Sequence, residues 1–120
     1  MRWLLPIIWA GLISYLSFIP ANNFPDDDLF HLLFIDKWVH VFFYFFFAFL
    51  LLNAWREISP VFLKAFVILI VTVCFGLLIE VLQENLTTTR HFEWLDLVAD
   101  AFGSVSYIFI WLRRRSKDFL

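Results

Sequence analysis

The sequence predicts an all-α integral membrane protein, a bundle of four transmembrane helices joined by short loops. Three observations carry that expectation. Apolar residues are 62% of the 120 and aromatic residues 22%, with 17 Phe, where a soluble domain is about half apolar. The apolar residues fall in long uninterrupted runs. At about 1.5 Å per residue each run is close to the thickness of the hydrocarbon core of a bilayer. A soluble helical protein built from such runs has no polar face left to meet water. Finally, Trp3, Trp38, Trp55, Trp94 and Trp111 stand at the ends of the runs, where indole favours the membrane interface; only Trp9 does not.

The first span is predicted at residues 3–19, between Arg2 and Pro20. The run is long for the apolar region of a signal peptide, and Ser17-Phe18-Ile19-Pro20-Ala21 is a poor cleavage site, so an uncleaved span is expected. Gly11, Ser14 and Ser17 suit close approach of a neighbouring helix. Residues 22–37 connect, broken by Pro25 and the aspartates 26–28. The apolar segment 29–34 is too short to span and is expected to lie in the interface. The second span, 38–55, is rich in Phe. The third, 61–82, follows a tight turn at 56–60. The fourth, 95–112, runs into Arg113, Arg114, Arg115 and Lys117. No repeat or second composition is visible, so residues 1–120 form one domain. Gly (3) and Pro (4) are scarce, which favours short connections and antiparallel neighbours. The lone Cys74 has no disulfide partner in the chain and is expected to pack.

Charge orients the bundle. With both termini in the cytoplasm, Arg2, Arg56, Lys64, Arg113, Arg114, Arg115 and Lys117 lie inside, and of the 9 Lys and Arg only Lys37 and Arg90 lie outside. That is the positive-inside bias, in short loops where it applies. Of the 11 acids only Glu57 and Asp118 are then inside. The basic cluster after the fourth span is a juxtamembrane anchor, and no nucleic-acid partner is expected.

This topology gathers polar residues at one membrane face. Asp36, His40 and Tyr44 are spaced by four, on one face of the second span. Lys37 stands beside them. Gly76, Glu80, Gln83 and Glu84 share a face of the third. Asp96, Asp100 and Gly103 belong to the fourth, and Arg90 to the loop before it. Asp36 and Asp96 equally suit helix caps. Glu80 and Asp100 are harder to explain as caps, because each lies inside an apolar run where an unpaired carboxylate costs several kcal/mol. Arg90 is their natural partner, through bidentate bonds. Such a pairing can be purely architectural.

Three motifs, Asp36-Lys37-x-x-His40-x-x-x-Tyr44, Gly76-x-x-x-Glu80-x-x-Gln83 and Arg90-x-x-Glu93-x-x-Asp96-x-x-x-Asp100-x-x-Gly103, in this order resemble the VanZ-like family of small bacterial membrane proteins. The resemblance covers essentially the whole chain. It departs at Asp100, where the family commonly has Asn, and at Glu93, often Asp. It implies a bacterial cytoplasmic (inner) membrane protein of the cell envelope, and its namesake is associated with resistance to the glycopeptide teicoplanin. No reaction is securely attached to the family.

Two functions from different classes follow. One is a binding protein whose outward-facing pocket takes an amphiphile: a lipid-linked cell-wall precursor, a lipid head group or a lipoglycopeptide. Asp36, Lys37, His40, Tyr44, Glu80, Gln83, Arg90, Asp96 and Asp100 are its candidate ligand-binding residues, with membrane lipids as surroundings. The alternative is a membrane enzyme acting on such a lipid, with His40, Glu80 and Asp96 as acid, base or metal ligands. No motif fixes a nucleophile or names a cofactor. Proton or ion passage is a third reading, but the inner halves of the spans offer few polar stepping stones.

Overall fold

The computed structural model describes residues 2–18, 35–86 and 94–118. Over these residues the chain is all-helical, with four helices: α1 (Leu4–Ser17), α2 (Ile35–Ala54), α3 (Val61–Leu86) and α4 (Trp94–Asp118). Local chemistry sets several of the helix ends. Pro6 sits in the first turn of α1, where a missing N–H costs nothing. Phe18 N closes α1 by donating to the carbonyls of Ser14 and Tyr15, at 3.2 and 3.3 Å. Trp55 N still reaches Leu51 O at 3.1 Å, but the residue before Pro60 is pushed out of helical geometry. Pro60 O then receives Lys64 N at 3.1 Å and opens α3.

The helices run past the predicted spans where polar residues continue the helical period. α3 carries Gln83, Glu84 and Asn85 before it ends, with Asn85 Nδ2 donating to Val81 O at 2.9 Å. α4 continues through Arg113, Arg114 and Arg115. Lys37–Ala54, Val61–Leu86 and Trp94–Arg115 are long and apolar enough to cross a membrane. α1 has 14 residues, about 21 Å of helix against a hydrocarbon core of about 30 Å. The interfacial segment expected at 29–34 lies outside the described residues.

The bundle has an apolar core, but it also buries polar side chains and exposes large apolar ones. Glu80, Gln83, Asp100, Thr72 and Ser104 are buried, while Leu5, Ile7, Phe42, Phe62, Phe66, Leu78, Val98 and Phe109 are exposed on all four helices. Water would oppose that distribution; a lipid surround accepts it, because lipid tails are as apolar as the exposed side chains. The chain is a membrane protein, and its outer surface meets lipid.

α2 is the central element. It packs most extensively against α4. Gly103 of α4 lies directly against the backbone at Val41 O, and a Cβ there would also meet Phe45 N at 3.0 Å. The Phe-rich face of α2 forms a ring ladder. Phe45 and Phe49 each meet Tyr107 edge-on, at 5.3 and 5.4 Å between centroids, and Phe47 meets Phe75 at 5.3 Å. Trp9 joins from α1, 4.8 Å from Phe46, and its indole N–H donates to Phe43 O at 2.9 Å. That half-buried partner explains the one tryptophan that does not mark a helix end. Gly11, expected to admit a neighbouring helix, faces open space instead.

Two contacts give the direction of the helices. At one end the Arg2 guanidinium pairs with Glu57 of the α2–α3 turn, and Lys64 Nζ donates to Trp55 O at 3.2 Å. At the other end Gln83 of α3 donates to Ser17 O of α1 at 2.6 Å. α1 and α3 therefore run the same way, and the start of α1 shares an end with the α2–α3 turn.

Candidate functional site

The polar residues converge at the end of the bundle formed by the start of α2, the end of α3 and the start of α4. Spacing makes this possible. His40 and Tyr44 lie one turn apart on α2; Gly76 and Glu80 one turn apart on α3; Asp96, Asp100 and Ser104 one turn apart on α4. Each set therefore forms a stripe, and packing turns the three stripes toward one another.

At the centre His40 Nδ1 and Asp100 Oδ1 are 2.7 Å apart, sharing a hydrogen bond. Asp100 is 1% exposed and Glu80 0%. A donor atom from each of His40, Glu80 and Asp100 lies within 4.8 Å of the others. Gly76 makes room for this cluster, since a Cβ there would stand 2.7 Å from Asp100 Oδ2. The small residue one turn below Glu80 thus accommodates a carboxylate from the facing helix. Tyr44 is buried beneath, against Phe47 and Phe75.

Nearer the rim, Lys37 Nζ binds Asp96 Oδ1 at 2.6 Å, with both side chains about one-sixth exposed or less. Asp96 Oδ2 is 3.9 Å from His40 Nε2. His40 therefore stands between two aspartates, tightly on Asp100 and loosely on Asp96. An apolar groove of about 410 Å³ opens between α2 and α4 on the lipid side, beginning at Lys37 and continuing along Trp38, Val41, Leu95, Val98 and Phe102.

The structure brings together Lys37, His40, Tyr44, Glu80, Asp96 and Asp100. Gln83 is buried but turned to the end of α1, and Glu84 is exposed. The sequence assigns no metal; Asp36, His40, Glu80, Asp96 and Asp100 are of the right types for a divalent ion, with His40, Glu80 and Asp96 first among them. The three donors that converge are His40, Glu80 and Asp100, because Asp96 is drawn to Lys37 one turn nearer the rim. Arg90, His91, Glu93 and His31 lie outside the described residues, as does the Asp36 side chain; the expected pairing of Arg90 with a carboxylate falls there.

Two buried polar residues were not singled out from the sequence. Ser104, 0% exposed, has no hydrogen-bond partner for its Oγ among the described residues. Thr72, also 0% exposed, donates to Leu69 O at 3.1 Å in its own helix. The signal was present: Thr72 stands four residues before Gly76, and Ser104 four after Asp100. No protein-family model, curated protein or solved structure matches the chain.

Proposed function

We propose that this is a VanZ-like protein of the bacterial cytoplasmic membrane that binds an amphiphilic cell-envelope ligand, such as a lipid-linked wall precursor, at the polar end of its bundle. One observation carries the reading: the apolar groove between α2 and α4 begins at Lys37, the same residue that joins the Lys37–Asp96–His40–Asp100 cluster. An amphiphile needs that juxtaposition. Lys37 and His40 meet phosphate or carboxylate, Asp96 accepts a sugar hydroxyl or a peptide amine, and an acyl chain lies along Val41, Val98 and Phe102. The site faces outward, and both termini are cytoplasmic. A role in teicoplanin resistance is the physiological form of this reading.

The test is binding of a fluorescent lipid-linked precursor to the purified protein in nanodiscs. Lys37→Ala removes the cation, and Val98→Trp fills the groove. Lys37→Ala should weaken binding about tenfold or more, since one charge-assisted hydrogen bond contributes about 1.5–3 kcal/mol, and Val98→Trp should weaken it by occupying the groove. Unchanged affinity in both variants sinks the proposal. A second reading, a membrane enzyme acting on the same class of lipid, is favoured by the convergence of His40, Glu80 and Asp100 on one point. Turnover of the precursor by the wild-type protein separates it from binding alone.

A further inference from the structure

We infer that His40, Glu80 and Asp100 form a binding site for one divalent transition-metal cation, Zn²⁺ or Mn²⁺. The inference concerns the floor of the site and does not depend on the ligand above it being an amphiphile.

The donor set comes from three helices, with one nitrogen and two carboxylates. Imidazole with carboxylates suits zinc and manganese. Calcium prefers six to eight oxygens, more than these three side chains supply. No thiolate competes, since Cys74 is exposed on α3, away from the cluster. The donors are also well held. Glu80 and Asp100 are fully buried, and α2 is locked against α4 through Gly103.

The dimensions are close to those of a coordination shell. His40 Nδ1 and Asp100 Oδ1 stand 2.7 Å apart with a proton between them. A tetrahedral zinc with bonds of about 2.0–2.2 Å holds its donors roughly 3.4 Å apart. An ion taking the proton's place therefore spreads this pair by about 0.7 Å, while the Glu80 carboxylate closes from at most 4.8 Å. Asp96 Oδ2 lies 3.9 Å from the imidazole's other nitrogen, Nε2, beyond hydrogen-bond distance.

A second observation points the same way. Ser104 Oγ is fully buried on the Asp100 face of α4, without a hydrogen-bond partner among the described residues. A buried hydroxyl is nearly always satisfied. A water on the ion, or an Asp100 oxygen turned by coordination, gives it a partner. Gly76 leaves the space in which either fits.

The test uses purified full-length protein in detergent, stripped with chelator and dialysed. Zn²⁺ and Mn²⁺ are titrated separately by calorimetry, and thermal unfolding is followed with and without each ion. One ion per chain with a micromolar or tighter Kd, and a rise in Tm, is expected. Glu80→Gln and Asp100→Asn keep the shape of the side chains and should weaken the ion at least thirtyfold. Asn53→Ala, at the far end of α2, should bind as wild type does. Co²⁺ bound to the wild-type protein should show a ligand-field spectrum that Zn²⁺ abolishes; this readout needs no variant to fold. No saturable binding, or equal binding in the Glu80→Gln and Asp100→Asn proteins, overturns the inference. Loss of the ion with precursor binding intact leaves the proposed function standing; the reverse result removes that function and keeps the metal.

Discussion

At the scale of single residues the site is a buried hydrogen bond with charges around it. Asp100 Oδ1 accepts from, or donates to, His40 Nδ1 inside a membrane span, and either partner alone would be left desolvated. Removing one member of such a pair costs about 3–5 kcal/mol. Asp100→Ala should therefore lower Tm sharply in detergent. Asp100→Asn keeps an oxygen acceptor at the same place and should stay within about 1 kcal/mol of wild type. Equal losses in the two variants would show that Asp100 acts through its charge rather than through this bond. Glu80→Gln is the complementary case. It keeps shape and removes a charge from the apolar slab, so folding should be unaffected or slightly improved while ligand binding falls. Wild-type binding in that variant would take Glu80 out of the site. Spacing alone made His40, Tyr44, Glu80 and Asp100 legible, because i, i+4 rows share a helix face whatever the neighbours do. It did not decide between Asp96 and Asp100 as the partner of His40. They lie on one stripe, and only the axial register of α4 against α2 tells which meets the imidazole.

At the scale of helices, close approach is concentrated where α4 crosses α2. A Cβ on Gly103 would collide with the Val41 carbonyl, which belongs to backbone and cannot turn aside. Gly103→Ala must push the helices apart and should cost about 1–3 kcal/mol, as overpacking does. Because α2 and α4 carry His40 and Asp100, the same change should weaken ligand binding. Gly11→Ala is the matched control. Gly11 faces open space, and alanine is a better helix former by about 1 kcal/mol, so Tm should hold or rise. A greater loss at Gly11 than at Gly103 would contradict the packing described. The elements themselves were legible, since long apolar runs bounded by Trp, Pro and charges have few alternatives. Helix ends were less so: hydropathy falls at Gln83 and at Arg113, while the backbone continues through both as helix. The role of Trp9 was invisible for a related reason. Its partner Phe43 O is a backbone atom 34 residues away, and no side-chain pattern marks a carbonyl with a spare lone pair.

At the scale of the whole molecule, the large apolar side chains exposed on every helix point to a lipid surround, and the charge distribution predicts a direction. The end of the bundle holding Arg2, Glu57 and Lys64 is the end to which α4 delivers Arg113, Arg114 and Arg115. The opposite end holds Lys37, His40, Glu80 and Asp96. Positive residues in short loops are retained in the cytoplasm, so the basic end should be inside and the His40–Asp100 cluster outside. The orientation decides which side of the membrane the site can draw a ligand from. Single cysteines in a Cys74→Ala background report it directly. Cysteine at Asn23, in the connection before α2, should react with a membrane-impermeant maleimide added to intact cells. Cysteine at Ser116, beyond the arginines of α4, should react only after permeabilisation. The bundle has both ends available for this comparison, so a protein inserted upside down gives the mirror result rather than no result. Labelling at Ser116 with protection at Asn23 would place the basic end outside, against the charge bias, and would turn the site and its ligand to the cytoplasm.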